Sequence, residues 1–163
     1  MEEYVIERAS DRDADAILAL YRSLIHAPCS TWSEEYPSRK DVENDLACHA
    51  IYAARDRQGK LATVISVFED DEMENMAPWY EDVTRWIEFA RLGVARGHQG
   101  KGLARRMLSH AMEISRRKGY QAVRFLVAKS NPIAQRSYNK LDFNVCGEHE
   151  MWGHTWLCYQ KRL

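Results

Sequence analysis

Close cysteine pairs are missing from this sequence. Cys29, Cys48, Cys146 and Cys158 are widely scattered with no C-x-x-C among them. That excludes the spacing of a zinc site and a dense disulfide framework, so no metal is expected and a reducing, cytoplasmic compartment is. Long apolar runs are missing too: none approaches the roughly 20 residues that cross a bilayer. The opening M-E-E-Y-V-I-E-R has no basic region ahead of an apolar one. The expectation is a soluble, unexported protein that engages no membrane. Net charge is nearly absent, at −1, so bulk electrostatics favour no nucleic-acid partner and no membrane surface. Aromatics are not interleaved with the arginines between Arg105 and Arg117 in the manner of a base-stacking surface, which weakens a nucleic-acid-binding role further. What is present is an ordinary apolar content in 163 residues, enough for one globular domain, 1–163, with a sizeable core.

Most of the chemical information lies in V-A-R-G-H-Q-G-K-G-L-A-R-R, Val94 to Arg106, where a strand joins a helix through a glycine-rich turn. Without side chains at Gly97, Gly100 and Gly102 the backbone can approach a ligand closely. The free N–H groups of a helix starting near Gly102 then point at whatever sits there. The expected ligand is a phosphate or pyrophosphate, with Lys101, Arg105 and Arg106 beside it. Two familiar phosphate loops fail on residues that their chemistry requires. A nucleotide P-loop places Ser or Thr after its lysine, and Lys101 is followed by Gly102. A dinucleotide G-x-G-x-x-G starting at Gly100 would need a third glycine where Arg105 stands.

The turn resembles the cofactor loop of the GNAT superfamily of N-acetyltransferases, whose pattern Gln99, Gly102 and Ala104 fit. Downstream, N-P-I-A-Q-R-S-Y-N-K-L-D-F resembles the second signature of that family at Asn131, Ala134, Tyr138, Leu141 and Phe143. The resemblance is strong from Trp86 to Phe143. It implies an α/β (α+β) fold, a mixed, mostly antiparallel central sheet flanked by helices, with a splayed parallel strand pair at the acetyl-CoA site. It also implies transfer of an acetyl group from acetyl-CoA to a primary amine of a small molecule or peptide, by direct attack and without an acyl-enzyme. On this resemblance Leu92, Gly93, Val94, Gln99, Gly100, Lys101, Gly102, Leu103, Ala104, Arg105 and Asn131 contact the cofactor. A homodimer is compatible with this reading. The alternative is a GNAT-fold module that binds acyl-CoA as a sensor without turnover.

The reaction needs a base. A lysine-like amine with a pKa of ~10.4 gives up roughly 4 to 5 kcal/mol to expose its lone pair at neutral pH, an α-amine only about 1. Glu88, on the strand before the glycine turn, stands where several GNAT enzymes carry a catalytic glutamate, acting directly or through water; the competing reading is a structural carboxylate paired with Arg91. Tyr138 matches the family tyrosine that protonates the departing thiolate, against a plain core aromatic.

The remaining chain reads as elements in order. Val5 to Ala9 is a strand, and Ser10 with Asp13 is a capping box ahead of a helix carrying Ile17, Leu18, Tyr21, Leu24 and Ile25. The pattern lapses from His26 to Tyr36, where Trp32 and Tyr36 either contact the acceptor or pack a lid on the core. A capped helix follows from Ser38 to Ala47, then a hairpin of Ala50 to Arg55 and Lys60 to Phe68. Glu69, Asp70, Asp71, Glu72, Glu74, Glu81 and Asp82 form an acidic stretch, read as a solvated loop or as a field attracting a cationic amine. Along Trp86 to Val94 the apolar phase slips by one residue, which suggests a β-bulge near Ala90 to Gly93, the alternative being a central strand apolar on both faces, where phase carries no information. A helix ending at Gly119, a strand through Val123, Phe125 and Val127, a helix capped by Asn131 and Pro132, and a final hairpin of 144–149 and 154–161 complete the chain.

Overall fold

The computed structural model describes residues 3–163. Met1 and Glu2, which open the stretch read above as lacking an export leader, lie outside the described residues. The strands are β1 (Val5–Arg8), β2 (Ile51–Arg55), β3 (Leu61–Phe68), β4 (Trp86–Val94), β5 (Ala122–Ala128), β6 (Asn144–Met151) and β7 (His154–Arg162). The helices are α1 (Ala14–Ser23), α2 (Arg39–Ala47), α3 (Leu103–Arg117) and α4 (Pro132–Asn139). The strands are hydrogen-bonded in the order β1-β2-β3-β4-β5-β7-β6. The sheet is mostly antiparallel, and β4 and β5 form its parallel pair. Among the described residues no helix is long and apolar enough to cross a membrane. The chain divides into two compact units, Met1–Phe68 with Arg91–Ala111, and Glu69–Ala90 with Met112–Leu163.

In the first unit local signals set the element ends. The Ser10 amide donates to Asp13 Oδ2 at 2.9 Å, and a 3-10 turn over Asp11–Asp13 leads into α1. Ser38 and Asp41 exchange the two bonds of a capping box at the start of α2, 2.8 and 3.1 Å. The Asp56 carboxylate takes the amides of Gln58 and Lys60 and closes the β2–β3 hairpin. Ile17, Leu20, Tyr21 and Leu24 face the core with Val42, Leu46, Ile51 and Val64. Burying a side chain such as Ile17, fully enclosed, contributes roughly 1.5–3 kcal/mol. The predicted slip in β4 falls at Arg91, which adopts the left-handed region with φ 51° in mid-strand. Few side-chain-bearing residues stay there unless the surroundings hold them.

In the second unit β5 runs parallel to the first part of β4, Trp86↔Ala122, Ile87↔Val123 and Glu88↔Arg124, and antiparallel to β7. Alternation along the strands then fixes two faces. Trp86, Glu88, Arg124, Leu126, Cys158 and Gln160 share one. Ile87, Val123, Phe125, Val127 and Tyr159 share the other. The 69–85 segment is not merely solvated. Met73, Trp79 and Val83 are buried, and Met73 and Trp79 cluster with Cys158 on the first face. Two of its carboxylates are tied to distant parts of the same unit: Glu69 accepts the Tyr120 hydroxyl, and Asp82 pairs with Arg162. β6 and β7 turn at Trp152 and Gly153, both left-handed, as a two-residue hairpin requires.

Candidate active site

The glycine turn lies in the first unit and is anchored at several points. The Tyr4 hydroxyl is 2.8 Å from His98 Nδ1, Asp56 is 3.7 Å from His98 Nε2, and Gln99 Nε2 donates to the Val94 carbonyl at 3.1 Å. Gly100 and Gly102 both take positive φ, 76° and 74°. A Cβ at either would meet no atom within 4 Å, so conformation rather than crowding within the protein selects glycine, and that side of the backbone is open. The first α3 bond runs from the Arg106 amide to the Gly102 carbonyl, so the amides of Leu103, Ala104 and Arg105 have no intrahelical acceptor. Lys101 and Arg105 are exposed. Gly97 sits in a 3-10 turn, where a Cβ would likewise meet no atom within 4 Å, and the exposed Arg106 donates to the Tyr4 carbonyl at 3.3 Å.

Upstream of the turn, Leu92 and Val94 are half-buried and Gly93 is buried. Gly93 is required by packing: a Cβ there would stand 2.9 Å from Leu20 and 3.2 and 3.3 Å from Leu24 and Trp32. Its carbonyl accepts the Thr63 hydroxyl at 2.6 Å. Trp32 packs edge-on against Tyr21, ring centres 5.1 Å apart, on the core side of its loop. Tyr36 is exposed, and its hydroxyl accepts from Arg91 at 3.2 Å. Arg91 pairs through two 2.9 Å bonds with Asp45.

The other candidates lie in the second unit. Glu88 is half-buried on the face shared with Arg124. Asn131 caps α4, its side chain accepting from the Ala134 amide at 3.1 Å, with Pro132 in the first turn. Tyr138 is half-buried among Phe125, Phe143 and Tyr159, its ring 4.5 Å from Phe125 and 5.9 Å from each of the others. Those contacts put it on the sheet face opposite Glu88. Among the described residues its hydroxyl makes no hydrogen bond, and burial, helped by the Tyr159 hydroxyl, pushes its pKa up to about 12. The phenol is therefore protonated throughout the neutral range. The turn residues Leu92 to Arg105 thus belong to one unit and Glu88, Asn131 and Tyr138 to the other. Sequence reasoning passed over Arg124, whose signal was a lone cation inside the buried strand A-V-R-F-L-V-A.

The profile of the acetyltransferase (GNAT) family matches residues 16–143, more than half of the chain. The chain belongs to the GNAT family. A streptothricin acetyltransferase of Streptomyces lavendulae is 28% identical to this GNAT protein over 86 residues, 52% of this chain. The match spans about half of that relative's length, 46%. A GNAT-family acetyltransferase from Streptococcus agalactiae 2603 superposes with a TM-score of 0.83 at 24% identity, over 98% of this chain and 95% of that one. The yncA protein of Salmonella typhimurium, solved with its cofactor acetyl-CoA, gives 0.72 at 20% identity over 99% and 94%. At these identities the two structures establish the fold that the GNAT protein shares with them.

Proposed function

We propose that this GNAT protein moves an acetyl group from acetyl-CoA to the primary amine of a small molecule or peptide, by direct attack and without an acyl-enzyme. The observation that carries the reading is the left-handed pair Gly100 and Gly102 at the head of α3, with open space where their side chains would be. Such a turn offers consecutive backbone N–H groups to an anion of pyrophosphate type, and Lys101 and Arg105 add positive charge beside it. The residues present fit the cofactor in that respect. Acetyl-CoA supplies the acetyl group as an activated thioester. Leu92, Gly93 and Val94 offer main-chain groups to its pantetheine arm; Gln99, Gly100, Lys101, Gly102, Leu103, Ala104 and Arg105 hold the pyrophosphate; and Asn131 fixes the start of α4.

Glu88 receives the proton of the acceptor ammonium, directly or through water. Tyr138 holds a proton on its hydroxyl for the departing sulfur, a role suited to a phenol that burial keeps neutral. The similarity to streptothricin acetyltransferase supports a small-molecule acceptor. Four free thiols suit a cytoplasmic location. The test combines binding and turnover. Acetyl-CoA at one hundred times its Kd should stabilise the protein against heat by roughly 2.7 kcal/mol, ATP and NAD by less. Gly102→Val should abolish that shift while the protein still folds. Thiol release should accompany at least one amine in a panel of polyamines, aminoglycosides, amino acids and peptides. An unchanged melting temperature at millimolar acetyl-CoA would defeat the proposal, and binding without thiol release across the panel would favour the acyl-CoA sensor.

A further inference from the structure

Arg124 is, among the described residues, the one charged side chain enclosed in the core, 3% exposed. Its Nε donates to the Gln160 side-chain oxygen at 2.8 Å, and Gln160 is itself fully buried. The guanidinium carbon lies 4.9 Å from the Trp79 ring centre and 4.8 Å from that of Trp86. Among the described residues no carboxylate lies within ion-pair distance of it. Burial therefore holds the Arg124 pKa below its ordinary value, and the influence of Cys146 and Glu74 only partly offsets this.

The two terminal nitrogens are the informative atoms. No fully enclosed side-chain nitrogen or oxygen among the described residues lacks a hydrogen-bond partner. Among the described residues the hydrogen bond that Arg124 makes is from Nε, so its two terminal nitrogens have no bonding partner and are not wholly enclosed. The result is a planar cation walled by two indoles, with one edge satisfied by Gln160 and the forked edge, among the described residues, neither hydrogen-bonded nor ion-paired. The walls are held in place: Trp79 Nε1 donates to the Met73 carbonyl at 2.7 Å, and Gln121 Oε1 takes the amides of Thr84 and Arg85 at 2.7 and 2.8 Å. A guanidinium fork in a low-dielectric setting matches a carboxylate through two parallel charge-assisted bonds. Desolvation by the indoles strengthens both.

The location names the purpose. Arg124 and Glu88 are register partners on adjacent parallel strands, and their side chains share one face of the sheet within one unit. We propose that Arg124 binds a carboxylate of the acceptor, so that the acceptor is a zwitterionic, amino-acid-like small molecule with its amine toward Glu88 and its carboxylate toward Arg124. This rests on the acetyl-transfer reading with Glu88 as base, and it narrows the acceptor from any primary amine to one carrying an anion.

Kinetics on matched acceptors test it. For a set of α-amino acids and their carboxamides, the wild type should show kcat/KM higher by about 100-fold for the acid, the effect of two charge-assisted hydrogen bonds. Arg124→Gln should bring the acid-to-amide ratio close to one, chiefly through KM, and Arg124→Lys should restore part of it. A ratio equal in Arg124→Gln and wild type would overturn the assignment, as would acetylation of polyamines with amino acids neither bound nor acetylated. Should the variants fail to fold, the wild type decides by itself: millimolar amino acids should shift the indole N–H resonances of Trp79 and Trp86 while the amides leave them in place. No shift with any acid overturns the proposal. That titration needs no turnover, so it judges Arg124 even if acetyl-CoA is neither bound nor cleaved, the outcome that defeats the acetyl-transfer reading instead.

Discussion

Arg91 and Arg124 stand on neighbouring strands of one sheet, each largely removed from water, yet they are handled in opposite ways. Burial works against the charge of Arg91, but Asp45, joined to it by two 2.9 Å bonds, and the Tyr36 hydroxyl more than restore it, so its pKa stands above the ordinary value. Arg124 has Gln160 and two indoles instead, and burial prevails. The carboxylate of Asp45 is also held by the Ser66 hydroxyl at 2.7 Å, so the first unit closes its charge network on itself. The network secures Arg91 in the left-handed backbone region, where a β-strand otherwise gains nothing. A neutralised arginine is a brace. Arg124, whose terminal nitrogens make no bond among the described residues, is the one proposed above to meet a ligand.

The comparison can be broken most directly at Asp45. Asp45→Ala leaves Arg91 a buried cation without its partner and should cost about 3–5 kcal/mol in urea unfolding. Asp45→Leu with Arg91→Met, which removes both charges, should recover much of that. Arg124→Met orphans no carboxylate and should cost about 1–2 kcal/mol, the loss of its hydrogen bond and ring contacts. Equal losses at Asp45 and Arg124 would mean that the two arginines are both braces.

A second contrast sets stability against catalysis. Tyr138→Phe removes a hydroxyl that makes no hydrogen bond among the described residues and keeps the ring against Phe125. The melting temperature should hold, while kcat falls about 100-fold with acetyl-CoA affinity unchanged. Lost stability with intact turnover would make Tyr138 a packing residue alone.

The smallest expected effect concerns pH and a second ion-pair network of the first unit. Arg55 reaches both Asp13 and Glu7, at 2.8 and 2.6 Å. Although burial pushes the Asp13 carboxyl upward, the Ser10 amide and Arg55 together hold it below its usual range. A carboxyl depressed in the folded state stabilises the fold above its unfolded pKa and loses that contribution as pH falls through the folded value. Denaturant titrations between about pH 5 and pH 3 should therefore show declining stability. Asp13→Asn should flatten part of that slope. An identical slope in the variant would remove Asp13 from the acid transition.

What the sequence determined by itself was local. Glycines at 100 and 102 ahead of a helix, serines at 10 and 38 with aspartates three residues on, and Asn131 before Pro132 act on their own neighbours, through φ angles and bonds spanning two to four residues. The slip in the apolar phase of β4 placed the irregularity at Arg91 for the same reason, because alternation is a property of one strand. Partnerships across the chain were decided only by the tertiary structure. Asp45 and Arg91 are 46 residues apart, and Arg124 and Gln160 are 36 apart. Which of them meet depends on strand order and register, which no short window contains. Tyr138 and Glu88 were both legible as candidates, but their placement on opposite faces of the sheet follows from the parallel pairing of β4 with β5 and the packing of α4 against Phe125 and Tyr159. Burial is likewise collective: Arg124 looks like any surface cation in sequence and becomes an enclosed charge because Trp79 and Trp86 close over it.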